Sequence, residues 1–181
     1  MQRPSLREKL ELGEFVTAPG VFDMLSALIA DSVGFDFVYA SGFWLTASNL
    51  GLPDAGIATY TQMLDRVTAL AHTTKAGIIA DADTGYGRLL NVHHTVRGYE
   101  AAGVTAIQIE DQVFPKKCGH TPNKSVVPSE DMEIEDDALR RRLVGREIEL
   151  GEQPFHGRLV DADLVIAGLV LLGHPFQSLQ R

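Results

Sequence analysis

Apolar runs of strand length alternate with helix-patterned segments through the first two thirds of this 181-residue chain. The runs are residues 15–18, 35–40, 77–80 and 106–109, the last leading into Glu110. Between them, three segments repeat apolar side chains at helical spacing: Phe22, Leu25 and Ile29; Met63, Val67 and Leu70; Val92, Val96 and Tyr99. Asp23 suits the first turn of the first segment, Thr59 or Thr61 can cap the second, and Asn91 the third. Gly34, Gly77 and Gly103 mark the helix-to-strand joints, and residues 5–14 form a leading amphipathic helix with Leu6 and Leu10 on one side. Such alternation predicts α/β architecture, with parallel strands joined by right-handed crossovers. Residues 43–57, where Gly51, Pro53, Asp54 and Gly56 cluster, are expected to be loop. The pattern alone allows a closed barrel or an open sheet.

Polar residues gather after the strands, the edge where parallel α/β folds place their chemistry. Asp81 and Asp83 stand two apart, a spacing that puts both on one face of an extended strand. Adjacent carboxylates repel unless a cation or a proton intervenes, and an all-oxygen site suits Mg²⁺ or Mn²⁺ better than zinc. Glu110, at the neighbouring strand end, is a candidate third ligand. The same acids also fit a plainer role, capping helices or pairing with lysine. Cys118, the chain's one cysteine, sits among Lys116, Lys117 and His120. Nearby cations favour a thiolate that could act as nucleophile or acid/base, although a passive small residue is equally compatible with the pattern. Tyr39, Ser41 and Gly42 follow the second strand, where hydroxyls and a backbone N–H could hold a carboxylate or simply mark a strand exit. His93 and His94 point to different helix faces and read as solvated. The glycines of Thr84-Gly85-Tyr86-Gly87 lack the spacing of a nucleotide-binding fingerprint.

A formal charge of -8 with no basic run argues against a nucleic-acid surface. Residues 1–14 lack an apolar signal core, and residues 164–172 are too short to span a bilayer. With no possible internal disulfide, the expectation is a cytoplasmic protein that binds neither nucleic acid nor membrane.

The stretch Ala80-Asp81-Ala82-Asp83-Thr84-Gly85-Tyr86-Gly87, followed by Ile109-Glu110-Asp111-Gln112 and Lys116-Lys117-Cys118-Gly119-His120, resembles the isocitrate lyase/phosphoenolpyruvate mutase superfamily. Ala18-Pro19-Gly20-Val21-Phe22-Asp23, Tyr39-Ala40-Ser41-Gly42 and Gly51-Leu52-Pro53-Asp54 fit the same pattern in order. The resemblance implies a parallel (β/α) barrel of TIM type. It implies Mg²⁺ held near Asp81, Asp83 and Glu110, often through waters, with Asp54 near the substrate. Tyr39, Ser41 and Gly42 would then hold substrate oxygens, and Cys118, flanked by Lys116 and His120, would be the catalytic cysteine of a mobile loop. The Lys-Lys-Cys-Gly-His sequence favours the branch that cleaves carbon–carbon bonds of small 2-hydroxy or 2-oxo di- and tricarboxylates. A phosphonomutase, or an inactive barrel fragment serving as a partner subunit, is the alternative. Family members are commonly tetrameric, so a homo-oligomer is expected.

The resemblance spans roughly residues 6–132. A full eight-stranded barrel takes about 250 residues, so residues 1–132 are expected to form the first half of a barrel and residues 133–181 a divergent tail. Overlapping the start of that tail, residues 128–143 could be a charged helix. Residues 159–160 and 164–172 could be strand or buried helix.

Overall fold

The computed structural model describes residues 6–119, 121–128, 158–160 and 165–167. In chain order the elements are α1 (Leu6–Glu11), β1 (Gly20–Val21), α2 (Met24–Val33), β2 (Phe37–Ala40), α3 (Gly42–Leu50), α4 (Tyr60–Thr73), β3 (Gly77–Asp81), α5 (Leu89–Ala101), β4 (Ala106–Ile109), β5 (Arg158–Val160) and β6 (Val165–Ala167). They build one sheet in the order β1-β2-β3-β4-β6-β5. Strands β1 to β4 and β6 run parallel, and β5 turns back antiparallel at the edge. Of the two options open for residues 159–160 and 164–172, the described parts are strand. The predicted 128–143 helix, apart from Pro128, lies outside the described residues.

Parallel strands covered on both faces read as unbroken apolar runs. Here the two faces differ in what they meet. Val38, Ala40, Ile78, Ala80, Ile107 and Ile109 point into the main core, packed under Ala27, Ala30, Met63, Val67, Leu70, Val92, Val96 and Tyr99 from the helices. The opposite face carries Phe37, Ile79 and Ala106, sealed by Leu6 of α1 with Tyr39 packed beside them. Two residues further along the same strands, alternation places Tyr39, Asp81 and Gln108 on that second face. One face therefore runs from apolar at the strand N-termini to polar at their C-termini, and the polar end is where the candidate residues lie.

The helix starts follow from capping chemistry. Asp23 caps α2, its Oδ1 accepting the Ser26 N–H at 2.7 Å, and Thr59 caps α4 through Gln62. The third cap differs from expectation: α5 begins after Arg88, and Asn91, at the third helical position, reaches back to accept the Arg88 N–H. Gly34 and Gly51 end α2 and α3 in the left-handed conformation that glycine adopts without a Cβ penalty. Asp31 ties the end of α4 to α2, accepting from the Thr74 hydroxyl and the Lys75 and Ala76 N–H groups.

Three further expectations are corrected. The first strand is Gly20–Val21, not residues 15–18, because the chain joins β2 only from Pro19 onward, where the Pro19 carbonyl accepts the Tyr39 N–H. Residues 43–57 are not all loop: α3 occupies their first half, with Leu45 and Thr46 buried. The large residues of α2 also face outward. Leu25 and Ile29 are more than half exposed, and it is the small Ala27 and Ala30 that α2 turns into the core. Among the described residues, no helix is long and apolar enough to cross a membrane.

Candidate active site

The chain leaves β3 at Asp81 and turns through Ala82-Asp83-Thr84-Gly85 with two kinds of support. Backbone pairing continues past the strand end, the Ala82 N–H donating to the Gln108 carbonyl and the Glu110 N–H to the Asp83 carbonyl at 2.7 Å. Side chains of α5 hold the turn from outside, Thr95 Oγ1 donating to the Gly85 carbonyl and the Tyr99 hydroxyl to the Asp81 carbonyl. Asp83 is held at φ 49, the left-handed region that a non-glycine residue seldom occupies. Its N–H donates to Asp81 Oδ1 at 2.9 Å, which brings the two side chains to one spot.

That spot is buried, with Asp54, Asp81 and Asp83 each less than a tenth exposed. Gly42, the first residue of α3, donates its N–H to Asp81 Oδ2 at 3.1 Å, so the carboxylate lies at the positive end of the helix. A Cβ on Gly42 would stand 2.7 Å from Asp81 Oδ2 and 3.3 Å from Asp83 Oδ1. The absent side chain is what lets the helix start approach the acids this closely.

Lys116 enters from the loop after β4. Its ammonium lies 2.6 Å from Asp83 Oδ1 and 2.7 Å from Asp54 Oδ1, and its side chain is 2% exposed. Burial alone would lower its pKa, but the charges of Asp81 and Asp83 and the bonds to Asp54 and Asp83 hold it well above the ordinary lysine value. Asp83 is pushed the other way for a carboxylate, up to about 7, by burial first and by Asp81 next, against the pull of Lys116. Glu110 is also raised, chiefly by burial, while Lys116 opposes the shift. The Tyr39 phenol is driven well above its usual value by burial and then by Asp81, Glu110 and Asp83. Its hydroxyl donates to Gln108 Oε1 at 2.8 Å.

Charge counting tests whether these residues suit a divalent cation. Three buried carboxylates, Asp54, Asp81 and Asp83, face one ammonium, Lys116. When all are ionised, two negative charges stay uncompensated in a buried site, and after burial itself the neighbouring Asp81 charge is what raises the Asp83 pKa. Hard oxygen donors and excess negative charge fit Mg²⁺ or Mn²⁺. The expected three-ligand set does not converge directly: among the described residues, no three Asp, Glu, His or Cys side chains meet at metal-ligand spacing. The physical reason is that Lys116 stands against Asp83, while Glu110 Oε2 accepts from Gln112 Nε2 at 2.6 Å.

The other candidates divide. Ser41 is the residue before α3 and makes no capping bond through its side chain. Asp54, expected near substrate, is ion-paired with Lys116. Cys118 is half-buried on the loop. The lysines beside it in sequence point elsewhere, Lys116 into the acids and Lys117 Nζ to the Asn123 carbonyl. The expected ammonium cluster around the thiol is therefore not formed by those two side chains. His120 lies outside the described residues. Sequence reasoning misses Gln108 and Gln112. A lone polar residue inside the apolar run 106–109 is the available signal for the first.

Residues 6–142 match the family model described as phosphoenolpyruvate phosphomutase. The chain belongs to this family. Among its relatives, 2,3-dimethylmalate lyase of Eubacterium barkeri is 47% identical over 127 residues, which cover 70% of this chain and 44% of the relative. Solved structures of phosphoenolpyruvate phosphomutase family relatives superpose on the fold described above. Oxaloacetate acetylhydrolase in complex with the inhibitor 3,3-difluorooxalacetate aligns with a TM-score of 0.72 and 39% identity, covering 77% of this chain and 49% of that one. A phosphonopyruvate hydrolase complex with oxalate and Mg²⁺ aligns with a TM-score of 0.66 and 38% identity, covering 74% and 45%. The chain thus spans about half the length of the relatives it matches.

Proposed function

We propose that this member of the phosphoenolpyruvate phosphomutase family serves Mg²⁺-dependent carbon–carbon bond cleavage of a small 2-hydroxy or 2-oxo di- or tricarboxylate. The observation that carries the reading is the buried cluster in which three carboxylates share one ammonium at the C-terminal ends of parallel strands. The names of the relatives support it, since they include a dimethylmalate lyase and an enzyme bound to oxalate and Mg²⁺.

In this proposal Asp81, Asp83 and Glu110 hold the cation, directly or through water. When bound, Mg²⁺ supplies Lewis acidity toward the oxygen on the substrate's second carbon. Lys116 keeps Asp83 and Asp54 fixed and offsets part of their charge. Tyr39 and Ser41 take the substrate carboxylate and its neighbouring oxygen through their hydroxyls, while the Gly42 N–H holds Asp81 in place. The C2 hydroxyl, which in a 2-oxo substrate is that of its hydrate, gives its proton to a carboxylate of the cluster and becomes a carbonyl as the carbon–carbon bond breaks. The bond's electron pair stays on the departing carbon as an enolate-like carboxylate. Cys118 donates its thiol proton to that carbon, with His120 beside it in sequence to assist the return of the proton. The loop excludes water while the carbanion exists.

Cys118→Ser tests the proton donor. Turnover of 2,3-dimethylmalate or oxaloacetate, screened with the full chain, should fall by about two to four orders of magnitude, the usual contribution of a positioned acid. Mg²⁺ affinity, measured by calorimetry, should be unchanged. Retained turnover would remove Cys118 from the chemistry.

A further inference from the structure

The loop carrying Lys116 and Cys118 is fastened at its base and by several contacts inside. At the base, residues 111–113 pair with residues 125–127: the Val113 N–H donates to the Ser125 carbonyl and the Val127 N–H to the Asp111 carbonyl, both at 2.8 Å. Inside, one side chain binds both Glu110 and the backbone of Lys117. Gln112 is 9% exposed and uses both ends of its amide. Nε2 donates to Glu110 Oε2 at 2.6 Å and to the Lys117 carbonyl at 3.0 Å, while Oε1 accepts the Lys117 N–H at 3.1 Å. The amide orientation is dictated by these partners. Exchanging O and N would set an oxygen against the Glu110 carboxylate and an NH₂ against the Lys117 N–H. Lys117 itself lies between Lys116, locked to Asp54 and Asp83, and Cys118.

We propose that Gln112 is a positioning residue that fixes the Lys116–Cys118 segment relative to Glu110, setting the acid on the cation side and the proton-donating loop as one unit. This rests on the assignment of Glu110 and Cys118 given under the proposed function. Acting through Glu110, Gln112 stands to the metal as an outer-shell partner. Acting through the Lys117 peptide, it stands to Cys118 as a brace. A cation that orders Glu110 thereby orders the loop.

The test compares the full chain with Gln112→Leu, which removes all three bonds, and with Gln112→Asn, whose amide is too short to reach both partners. Hydrogen–deuterium exchange is followed at the Lys117 amide and across residues 113–119, with and without saturating MgCl₂, alongside thermal melting and Mg²⁺ calorimetry. Without metal, Lys117 should exchange about tenfold faster in both variants, as expected for the loss of one buried hydrogen bond. Mg²⁺ should bind about tenfold more weakly, as for other outer-shell changes. At saturation, the metal-dependent slowing seen in the wild type should be absent from the variants. A merely structural role would lower the melting temperature yet preserve that slowing, and preserved slowing overturns the proposal. If the wild type takes up no Mg²⁺, the proposed function fails, and the metal-free Lys117 exchange still decides the brace: unchanged exchange in both variants overturns it.

Discussion

Replacing Lys116 by methionine is expected to destabilise the protein by about 3–5 kcal/mol, the usual effect of removing one partner from a buried ion pair. Among the described residues, its ammonium is the one cation within salt-bridge distance of Asp54 and Asp83, and all three side chains are 7% exposed or less. Methionine fills most of the volume but leaves those carboxylates without a counter-charge, beside Asp81. Asp83 would respond by holding its proton to still higher pH, so the loss should shrink as pH falls toward about 7, the value to which Asp83 is already pushed with Lys116 present. The sign follows from linkage: between the ordinary carboxylate range and that value the folded state binds the proton more tightly than the unfolded chain, so stability declines as pH rises. Lys117→Met is the control. Its ammonium donates to an exposed carbonyl, that of Asn123, and its removal should change stability by less than about 1 kcal/mol. Equal thermal denaturation curves for the Lys116 variant and the wild type would mean that the ammonium is not what holds the acids together.

Gly42→Ala is expected to cut turnover by about 100-fold or more, because the added Cβ displaces the acid that the site is built on, and misplacement by about 1 Å is enough for such a loss. The new methyl group would meet Asp81 Oδ2 at 2.7 Å and Cγ at 3.0 Å. The carboxylate has little room to retreat, since its Oδ1 accepts the Asp83 N–H and its strand is pinned by Tyr99. Overpacking of this kind also costs about 1–3 kcal/mol of stability. Helix α3 itself should survive, as alanine is the better helix former. Turnover and Mg²⁺ affinity measured together separate a displaced acid from a general loss of folding: circular dichroism near wild type with affinity reduced is the expected pair.

Much of this site is legible in the order of the amino acids. The apolar run that opens at Gly77 places Asp81 at a strand end, and the matching run 106–109 delivers Glu110 to the neighbouring strand end. Thr59, with Gln62 three residues on, announces α4 in the same local way. What is not legible depends on approach in three dimensions. Nothing in Lys116-Lys117-Cys118 says that the first ammonium turns away from the thiol into acids from two other segments. Gly42 reads as a donor to substrate, whereas in the fold its N–H is donated to Asp81. The α2 face departs from its apolar spacing because large apolar residues mark an inward stripe only when the helix stands off from the sheet. Here Ala27 and Ala30 take the inward face and Leu25 and Ile29 the outward one. Helix α3 is hidden by the turn residues at Gly51, Pro53 and Gly56, which follow the helix rather than interrupt it.

These observations converge on the claim that the acids at the ends of β3 and β4 form a cation site. Calorimetric titration of the full chain with MgCl₂, for the wild type and for Asp83→Ala, tests it most directly. The account predicts saturable binding by the wild type that tightens as pH rises through about 7, where Asp83 gives up its proton, and loss of that binding in Asp83→Ala. A wild type that takes up no Mg²⁺, or an Asp83→Ala variant that binds it equally well, would contradict the account.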